Sequence, residues 1–156
     1  MKSANNLILI AFLFQIVVCS AQNVVLANSI KVNNTSILGT NFTTSASTLG
    51  ETYDILNSFS ETDNAPMKIY KYDGLKLYVI DEKIDSFEIT KSTFTFSNHI
   101  KVGDHIIKLN EEFPLSYNVR KNDHLVILIE DYTDKYISIH FNEISNRITK
   151  IRLGTF

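Results

Sequence analysis

The clearest structural signal in this chain is the stretch Met67-Lys68-Ile69-Tyr70-Lys71-Tyr72-Asp73-Gly74-Leu75-Lys76-Leu77-Tyr78-Val79. An Asp-Gly pair flanked by alternating apolar residues is a strong signal for a two-residue hairpin turn. After the turn, Leu75, Leu77 and Val79 occupy every second position, which places them on one face of a strand. The stretch therefore predicts a β-hairpin with one buried face.

The strand pattern continues towards the C-terminus. A polar turn at residues 81–83 precedes a third strand at 84–90 and a fourth at 93–96. In the second half, residues 125–129 form a continuous apolar run, as expected for a central strand covered on both faces. Alternating strands follow at 137–141 and 147–153. These patterns predict an antiparallel meander in each half.

Two short helices are predicted ahead of the meanders. Ile106, Leu109 and Phe113 have helical spacing, and Pro114 ends that segment. Residues 43–49, followed by a glycine, form its counterpart, although Ser and Thr compete there for backbone hydrogen bonds.

The two halves resemble each other at a shift of 64 residues. Gly39 falls on Gly103, and Ile84 falls on Ile148, where both isoleucines break the alternation of their strands. We therefore predict an α+β fold of two tandem repeats, 36–97 and 98–156. Each repeat is a short helix followed by an antiparallel three- to four-stranded meander, with the helices on one face of the sheet.

Residues 1–21 have the pattern of a cleavable signal peptide. Lys2 precedes an apolar run, Leu7 to Val18, that ends at the small residues before Gln22. The run is shorter than the roughly 20 residues of a membrane span. We predict a loose segment at 22–35 and a single domain at 36–156. Two alternatives stay open: a buried N-terminal helix, and a lipoprotein signal with acyl chains on Cys19.

Composition narrows the functional classes. Cys19 is the only cysteine, so a chain cleaved after residue 21 holds no disulfide, thiolate metal site or cysteine nucleophile. Export without disulfides indicates a bacterial periplasmic or secreted protein. The net charge is −2 and no basic patch stands out, which argues against nucleic acid as a partner. A membrane is expected as a partner only if Cys19 is lipidated.

Several segments resemble the tandem repeats of the beta-lactamase-inhibitor-protein-like group and of the small outer-membrane assembly lipoproteins of the SmpA/OmlA type. The resemblance covers about residues 37–153. Its segments are Ile37-Leu38-Gly39-Thr40 with Leu49-Gly50, Ile100-Lys101-Val102-Gly103-Asp104 with Leu109 and Phe113-Pro114, residues 72–78, and residues 86–90. It implies helices packed on one face of an antiparallel sheet, with the other face binding protein. The inhibitor proteins carry disulfides that this chain lacks, and none of their enzyme-contacting residues matches here.

The motifs of enzymatic and metal sites are missing from the sequence. His99, His105, His124 and His140 form no i, i+4 pair of the zincin type. No G-x-S-x-G motif is present. The adjacent carboxylates at 81–82, 111–112 and 130–131 are typical of solvated turns or helix ends. We therefore predict no catalytic residue, no metal and no cofactor.

The alternation of side chains between the two faces of a strand, here called parity, gives a candidate binding face. If the alternating apolar residues are core, Tyr70, Tyr72, Tyr78, His140 and Arg152 point to the opposite face. Tyr and Arg are enriched at protein interfaces, although strands also favour Tyr for packing reasons alone. We predict an exported, non-enzymatic module that binds another protein through this face, as an inhibitor, an immunity-type protein or an envelope-assembly factor. The alternative is a small exported hydrolase with no recognisable motif.

Overall fold

A computed structural model describes residues 22–50, 52, 54–59, 66–97 and 99–156. The predicted signal peptide, with Cys19, lies outside the described residues. Within them, no helix is long and apolar enough to cross a membrane.

The described chain consists mainly of strands, with three short α-helices. The strands are β1 (Val24–Val25), β2 (Lys31–Val32), β3 (Thr35–Ser36), β4 (Asp54–Phe59), β5 (Pro66–Tyr72), β6 (Leu75–Ile80), β7 (Lys83–Ile89), β8 (Thr95–Phe96), β9 (Ile100–Lys101), β10 (His124–Ile129), β11 (Tyr132–Asn142) and β12 (Arg147–Thr155). The helices are α1 (Phe42–Leu49), α2 (Ile107–Glu112) and α3 (Pro114–Asn118), and a 3-10 turn spans Ala27–Ser29.

The strands form two sheets. The larger sheet has eight strands in the order β1-β10-β11-β12-β7-β6-β5-β4. It is mixed, because β1 runs parallel to β10 while the other neighbours are antiparallel. A second sheet has four strands in the order β3-β2-β8-β9.

The predicted fold class of two tandem helix–meander repeats is therefore wrong. Strand β8, expected to extend the first meander, leaves the large sheet and pairs with β2, with Val32 opposite Phe96. Both side chains are buried. The segment 22–35, which was expected to be loose, thus contributes core residues to a second sheet. Its few apolar side chains, among them Ile30, pack in the buried core.

The correspondence between the halves is local. The N–H of Gly39 donates to the carbonyl of Ile84 at 2.8 Å, and the N–H of Gly103 donates to the carbonyl of Ile148 at 2.8 Å. It does not extend to strand number, because the first half gives four strands to the large sheet and the second gives three.

A β-bulge accounts for each broken alternation. The β6–β7 register shifts between Tyr78 and Val79, so that Val79 pairs with Ile84. The β11–β12 register shifts between His140 and Phe141, so that Phe141 pairs with Ile148. Each shift adds one residue to a strand and returns the isoleucine to the buried face.

One face of the large sheet is covered. The Phe87 ring lies 6.1 Å from the Phe96 ring of the second sheet, which lies 6.4 Å from Phe113 at the end of α2. On the same face, Phe42 at the start of α1 stacks on Tyr70 of β5, with ring centroids 3.7 Å apart. The helices and the second sheet thus pack on this side.

Candidate functional site

The opposite side of the large sheet carries half-buried and exposed side chains, and we call it the open face. Antiparallel pairing fixes its members, because residues that lie directly opposite each other share a face. They include Asp54, Leu56, Ile69, Lys71, Lys76, Tyr78, Ser86, Glu88, His124, Val126, Leu128, Tyr136, Ser138, His140, Lys150, Arg152 and Gly154. Two of them, Ser138 and Gly154, are themselves buried.

Three of the five predicted binding residues lie on the open face. Tyr78 is half-buried between Ile69 and Ser86 on the neighbouring strands. His140 is half-buried and Arg152 is exposed. Their predicted role in binding stays a prediction.

The prediction for Tyr70 and Tyr72 is wrong in its geometry. Tyr72 lies opposite Leu75 and Tyr70 lies opposite Leu77, so both tyrosines point to the covered face. A two-residue turn places the residues on its two sides directly opposite each other. Parity counted straight through the Asp73-Gly74 turn therefore assigns the tyrosines to the wrong face. The sequence held this signal in the turn itself.

Tyr72 is a core residue. Its side chain is 3% exposed, and its ring meets the ring of Phe94 edge-on at 6.2 Å. Burial raises the pKa of its phenol, with a smaller contribution from Tyr70. Among the described residues, no group accepts or donates a hydrogen bond at its hydroxyl.

The charges on one half of the open face are neutralised within the chain. Lys76 Nζ lies 3.1 Å from Glu88 Oε1 on β7. At the edge of the sheet, Lys71 Nζ lies 2.9 Å from Asp54 Oδ2. This half of the face therefore presents little net charge to a partner.

The other half of the open face carries cations without counter-ions. Lys150 lies opposite His140, and Arg152 lies between Ser138 and Glu88. Within the described part of the chain, neither cation makes an ion pair or a side-chain hydrogen bond.

Ser138 and His140 form a hydrogen-bonded pair beside these cations. The Oγ of Ser138 lies 2.6 Å from Nε2 of His140. Burial lowers the pKa of His140, and the positive charge of Lys150 lowers it further, followed by His124. The ring of His124 lies 5.6 Å from that of His140.

A second hydrogen-bonded pair lies next to this one. His124 Nδ1 is 2.6 Å from Oδ1 of Asp123. That hydrogen bond lowers the pKa of the Asp123 carboxyl. The negative charge nearest to the two histidines is therefore already engaged.

Two aromatic side chains, Tyr136 and Phe156, lie beside the cations. Neither was predicted from the sequence. Their ring centroids are 4.6 Å apart. A Cβ on Gly154 would stand 3.3 Å from a guanidinium nitrogen of Arg152 and 3.4 Å from the hydroxyl of Tyr136. Because Gly154 has no side chain, Arg152 and Tyr136 can pack over it. Parity within β11 could have found Tyr136, since it shares a face with Ser138.

A separate cleft lies on the covered side, next to α1. It has a volume of about 530 Å³ and is lined by Phe42, Thr43, Pro66, Met67, Lys68, Tyr70, Val79, Asp81 and Glu82.

No group of three or more His, Cys, Asp or Glu side chains that could hold a metal ion occurs in the described ranges.

Among solved structures, parts of two bacterial proteins are similar in fold to this chain. An extracellular protein containing an SCP domain from Bacillus anthracis str. Ames matches with a TM-score of 0.50 and 9% identity, over 76% of this chain and 44% of that one. A cysteine-rich secretory protein from Staphylococcus aureus subsp. aureus Mu50 matches with a TM-score of 0.45 and 13% identity, over 83% of this chain and 48% of that one.

This chain spans less than half of either neighbour, and at such identity the likeness concerns the fold alone. The two neighbours are themselves described as an extracellular and a secretory protein. Neither bears on the resemblance to the inhibitor-protein-like group. No protein-family model matches the sequence, and no curated protein does.

Proposed function

We propose that this chain is an exported, non-enzymatic module that binds another protein through the open face, in an inhibitory, immunity-type or envelope-assembly role. The observation that carries the proposal is the composition of this face. Tyr78, Tyr136 and Phe156 lie on or beside it, together with Arg152, which has no counter-ion among the described residues. Tyr and Arg are the residue types that dominate binding energy at protein interfaces.

The export part of the proposal is supported by the signal-like residues 1–21 and by the extracellular nature of the structural neighbours. We propose that the cleaved chain is periplasmic or secreted and carries no anchor. The alternative is a chain held at a membrane through acyl groups on Cys19.

The partner on the open face is expected to be acidic. Lys150 and Arg152 lie on β12, inside the sheet, while the charges of Lys76 and Glu88 compensate each other. Complementary charge steers association and disfavours wrong partners.

The test compares Tyr78→Ala with Leu115→Ala. Leu115 is 46% exposed on α3, away from the open face, so its truncation is a matched loss of apolar surface. A partner captured from the envelope of the source cells is purified, and its Kd is measured for both variants. We expect Tyr78→Ala to weaken binding by about 2 kcal/mol, roughly 30-fold, and Leu115→Ala to leave the Kd unchanged.

Thermal unfolding of both variants accompanies the binding assay. Tyr78 is half-buried, and a cross-strand side-chain pair contributes only about 0.2–1 kcal/mol, so the fold survives its removal. An unchanged Kd for Tyr78→Ala would remove the open face as the binding surface. Equal losses in both variants would show that the assay reports general surface hydrophobicity.

A hydrolase is the second candidate, and the Ser138–His140 pair favours it. A serine within hydrogen-bond distance of a histidine is the core of a nucleophile–base pair. Ser138 is only 4% exposed, however, and among the described residues no carboxylate contacts His140 to orient it. Ser138→Ala decides between the two functions. The wild type and this variant are assayed with a panel of nitrophenyl esters. Hydrolysis by the wild type that is lost in the variant would establish the hydrolase.

A further inference from the structure

Among the described residues, the two cations on β12, Lys150 and Arg152, have no counter-ion, and the carboxylates near them contact other groups. Lys150 and Arg152 are two residues apart on one strand, so about 7 Å separates their Cα atoms. Glu88 lies directly opposite Arg152, but its carboxylate pairs with Lys76 on the other side, and Asp123 bonds to a histidine. The chain therefore leaves two positive charges side by side on a sheet surface.

Uncompensated cations in adjacent positions disfavour each other. Each also disfavours protonation of His140, which lies opposite Lys150. An arrangement that repels itself in the isolated chain is relieved when an anionic ligand binds. The half-buried ring of His140 adds a hydrogen-bonding group at the same place, and its hydrogen bond to the buried Ser138 holds it there.

We propose that Lys150 and Arg152, with the half-buried His140 beside them, bind a pair of carboxylates on an acidic segment of the partner protein. This inference rests on the proposed function, because it names the part of the partner that the open face recognises. The guanidinium of Arg152 donates two hydrogen bonds to one carboxylate, and Lys150 contacts the second carboxylate as a point charge.

The geometry favours spaced carboxylates over a compact phosphate. Phosphate sites commonly use backbone N–H groups at helix N-termini or in glycine-rich loops. Here β12 lies inside the sheet with β11 on one side and β7 on the other, and the groups available for an anion are side chains. Their spacing of about 7 Å matches alternate residues of an extended segment, which lie on one side of it.

Binding is expected to strengthen as the pH falls. The charged groups around His140 are Lys150 and Arg152 on β12, His124 on β10, and Asp123 just before β10. A bound carboxylate offsets the repulsion from the cations and raises the pKa of His140. Protonation of His140 and binding of the acidic segment therefore favour each other.

The experiment uses a synthetic peptide that alternates Glu and Ser, with a Gln–Ser peptide as its uncharged control. Binding is measured by calorimetry at low salt, because screening weakens surface charge interactions. The chain is compared with Lys150→Gln/Arg152→Gln and with Lys68→Gln, an exposed lysine on the covered side of β5. We expect the double variant to bind the peptide at least about tenfold more weakly. This lower limit corresponds to the loss of one charge-assisted hydrogen bond. Lys68→Gln should bind like the wild type.

Three outcomes would overturn the inference. The first is an equal loss in Lys68→Gln, which would indicate non-specific attraction. The second is equal binding of the Gln–Ser peptide. The third is displacement of the Glu–Ser peptide by millimolar inorganic phosphate, which would identify a phosphate site. Thermal unfolding confirms that the double variant is folded.

Failure of this inference and failure of the proposed function are distinguishable. A captured partner that loses affinity for Tyr78→Ala but binds the Lys150→Gln/Arg152→Gln variant with full affinity would retain the open face and remove the acidic recognition. A partner insensitive to Tyr78→Ala, with peptide binding still dependent on the two cations, would retain the carboxylate site and remove the broader face.

Discussion

Tyr72 lies directly opposite Leu75 across the Asp73–Gly74 turn, and both side chains are buried, at 3% and 1% exposure. This pair closes the β5–β6 hairpin, which is part of the large sheet. It also sets the face of every residue on β5, because side chains alternate along a strand.

Truncation of Tyr72 is expected to affect stability and not binding. Tyr72→Ala should lower the free energy of unfolding by about 3–5 kcal/mol, as for other large buried aromatics. Tyr72→Phe should raise it by about 1 kcal/mol, because the hydroxyl has no partner among the described residues and an unmet buried hydroxyl is unfavourable. Urea denaturation measures both. A less stable Tyr72→Phe variant would show that the hydroxyl has a partner.

Gly74 is required both for its backbone and for its lack of a side chain. Its φ is +103°, and a Cβ there would lie 2.5 Å from the Cβ of Lys91. Gly103 has a similar φ of +93° with nothing within 4 Å of its Cβ position, which makes it a matched control.

Alanine at either glycine should lower stability through backbone strain, by about 1–3 kcal/mol. Gly74→Ala should lower it by about 1–3 kcal/mol more, the usual effect of overpacking. Denaturation midpoints of the two variants give the difference. Equal losses would mean that Lys91 moves aside without a penalty.

The stability of the fold should depend on pH through His140. Burial, and then Lys150 and His124, hold its pKa below the ordinary 6.5. Between that lowered pKa and 6.5 the unfolded chain binds more protons than the folded chain. The free energy of unfolding therefore falls as the pH drops through this window. Asp123, with a pKa below its ordinary 3.8, titrates outside the window.

Urea denaturation at pH 7.5 and pH 5 checks this dependence. We expect His140→Gln to have a shallower pH dependence than the wild type. The control is His105→Asn, at an exposed position where an Asn side chain can still accept the N–H of Ile107. A slope that is unchanged in His140→Gln would assign the dependence to another group.

Processing of the N-terminus is a separate prediction. The short apolar run and the small residues before Gln22 indicate cleavage after residue 21. Intact-mass analysis of the chain from its source cells should therefore give an N-terminus at Gln22. A mass that corresponds to a chain starting at an acylated Cys19 would establish the lipoprotein alternative.

Local pattern was sufficient for six of the eight strands of the large sheet, β5–β7 and β10–β12, whereas β1 and β4 were not predicted. The Asp73-Gly74 pair and the alternation of Leu75, Leu77 and Val79 predicted a hairpin that the structure contains. The broken alternation at Ile84 is a bulge. Such signals are readable because they depend on neighbours in the chain.

The faces of Tyr70 and Tyr72 were readable but misassigned. A two-residue turn reverses the parity that holds within one strand, so the count had to restart at Leu75. Local signals therefore determine a face only when the turn geometry between strands is included.

Pattern along the chain was enough to locate six of the eight strands of the large sheet, β5–β7 and β10–β12, and to show which side chains alternate along them. Only the tertiary structure decided that β2 pairs with β8, because strands of two residues carry no periodicity. It also decided that Ser138 and His140 lie beside Lys150 and Arg152. That juxtaposition depends on the register between β11 and β12, and a shift of one residue would move one of the two sets to the other face. Register is selected by the burial of the whole sheet against its core, which no single stretch of sequence contains.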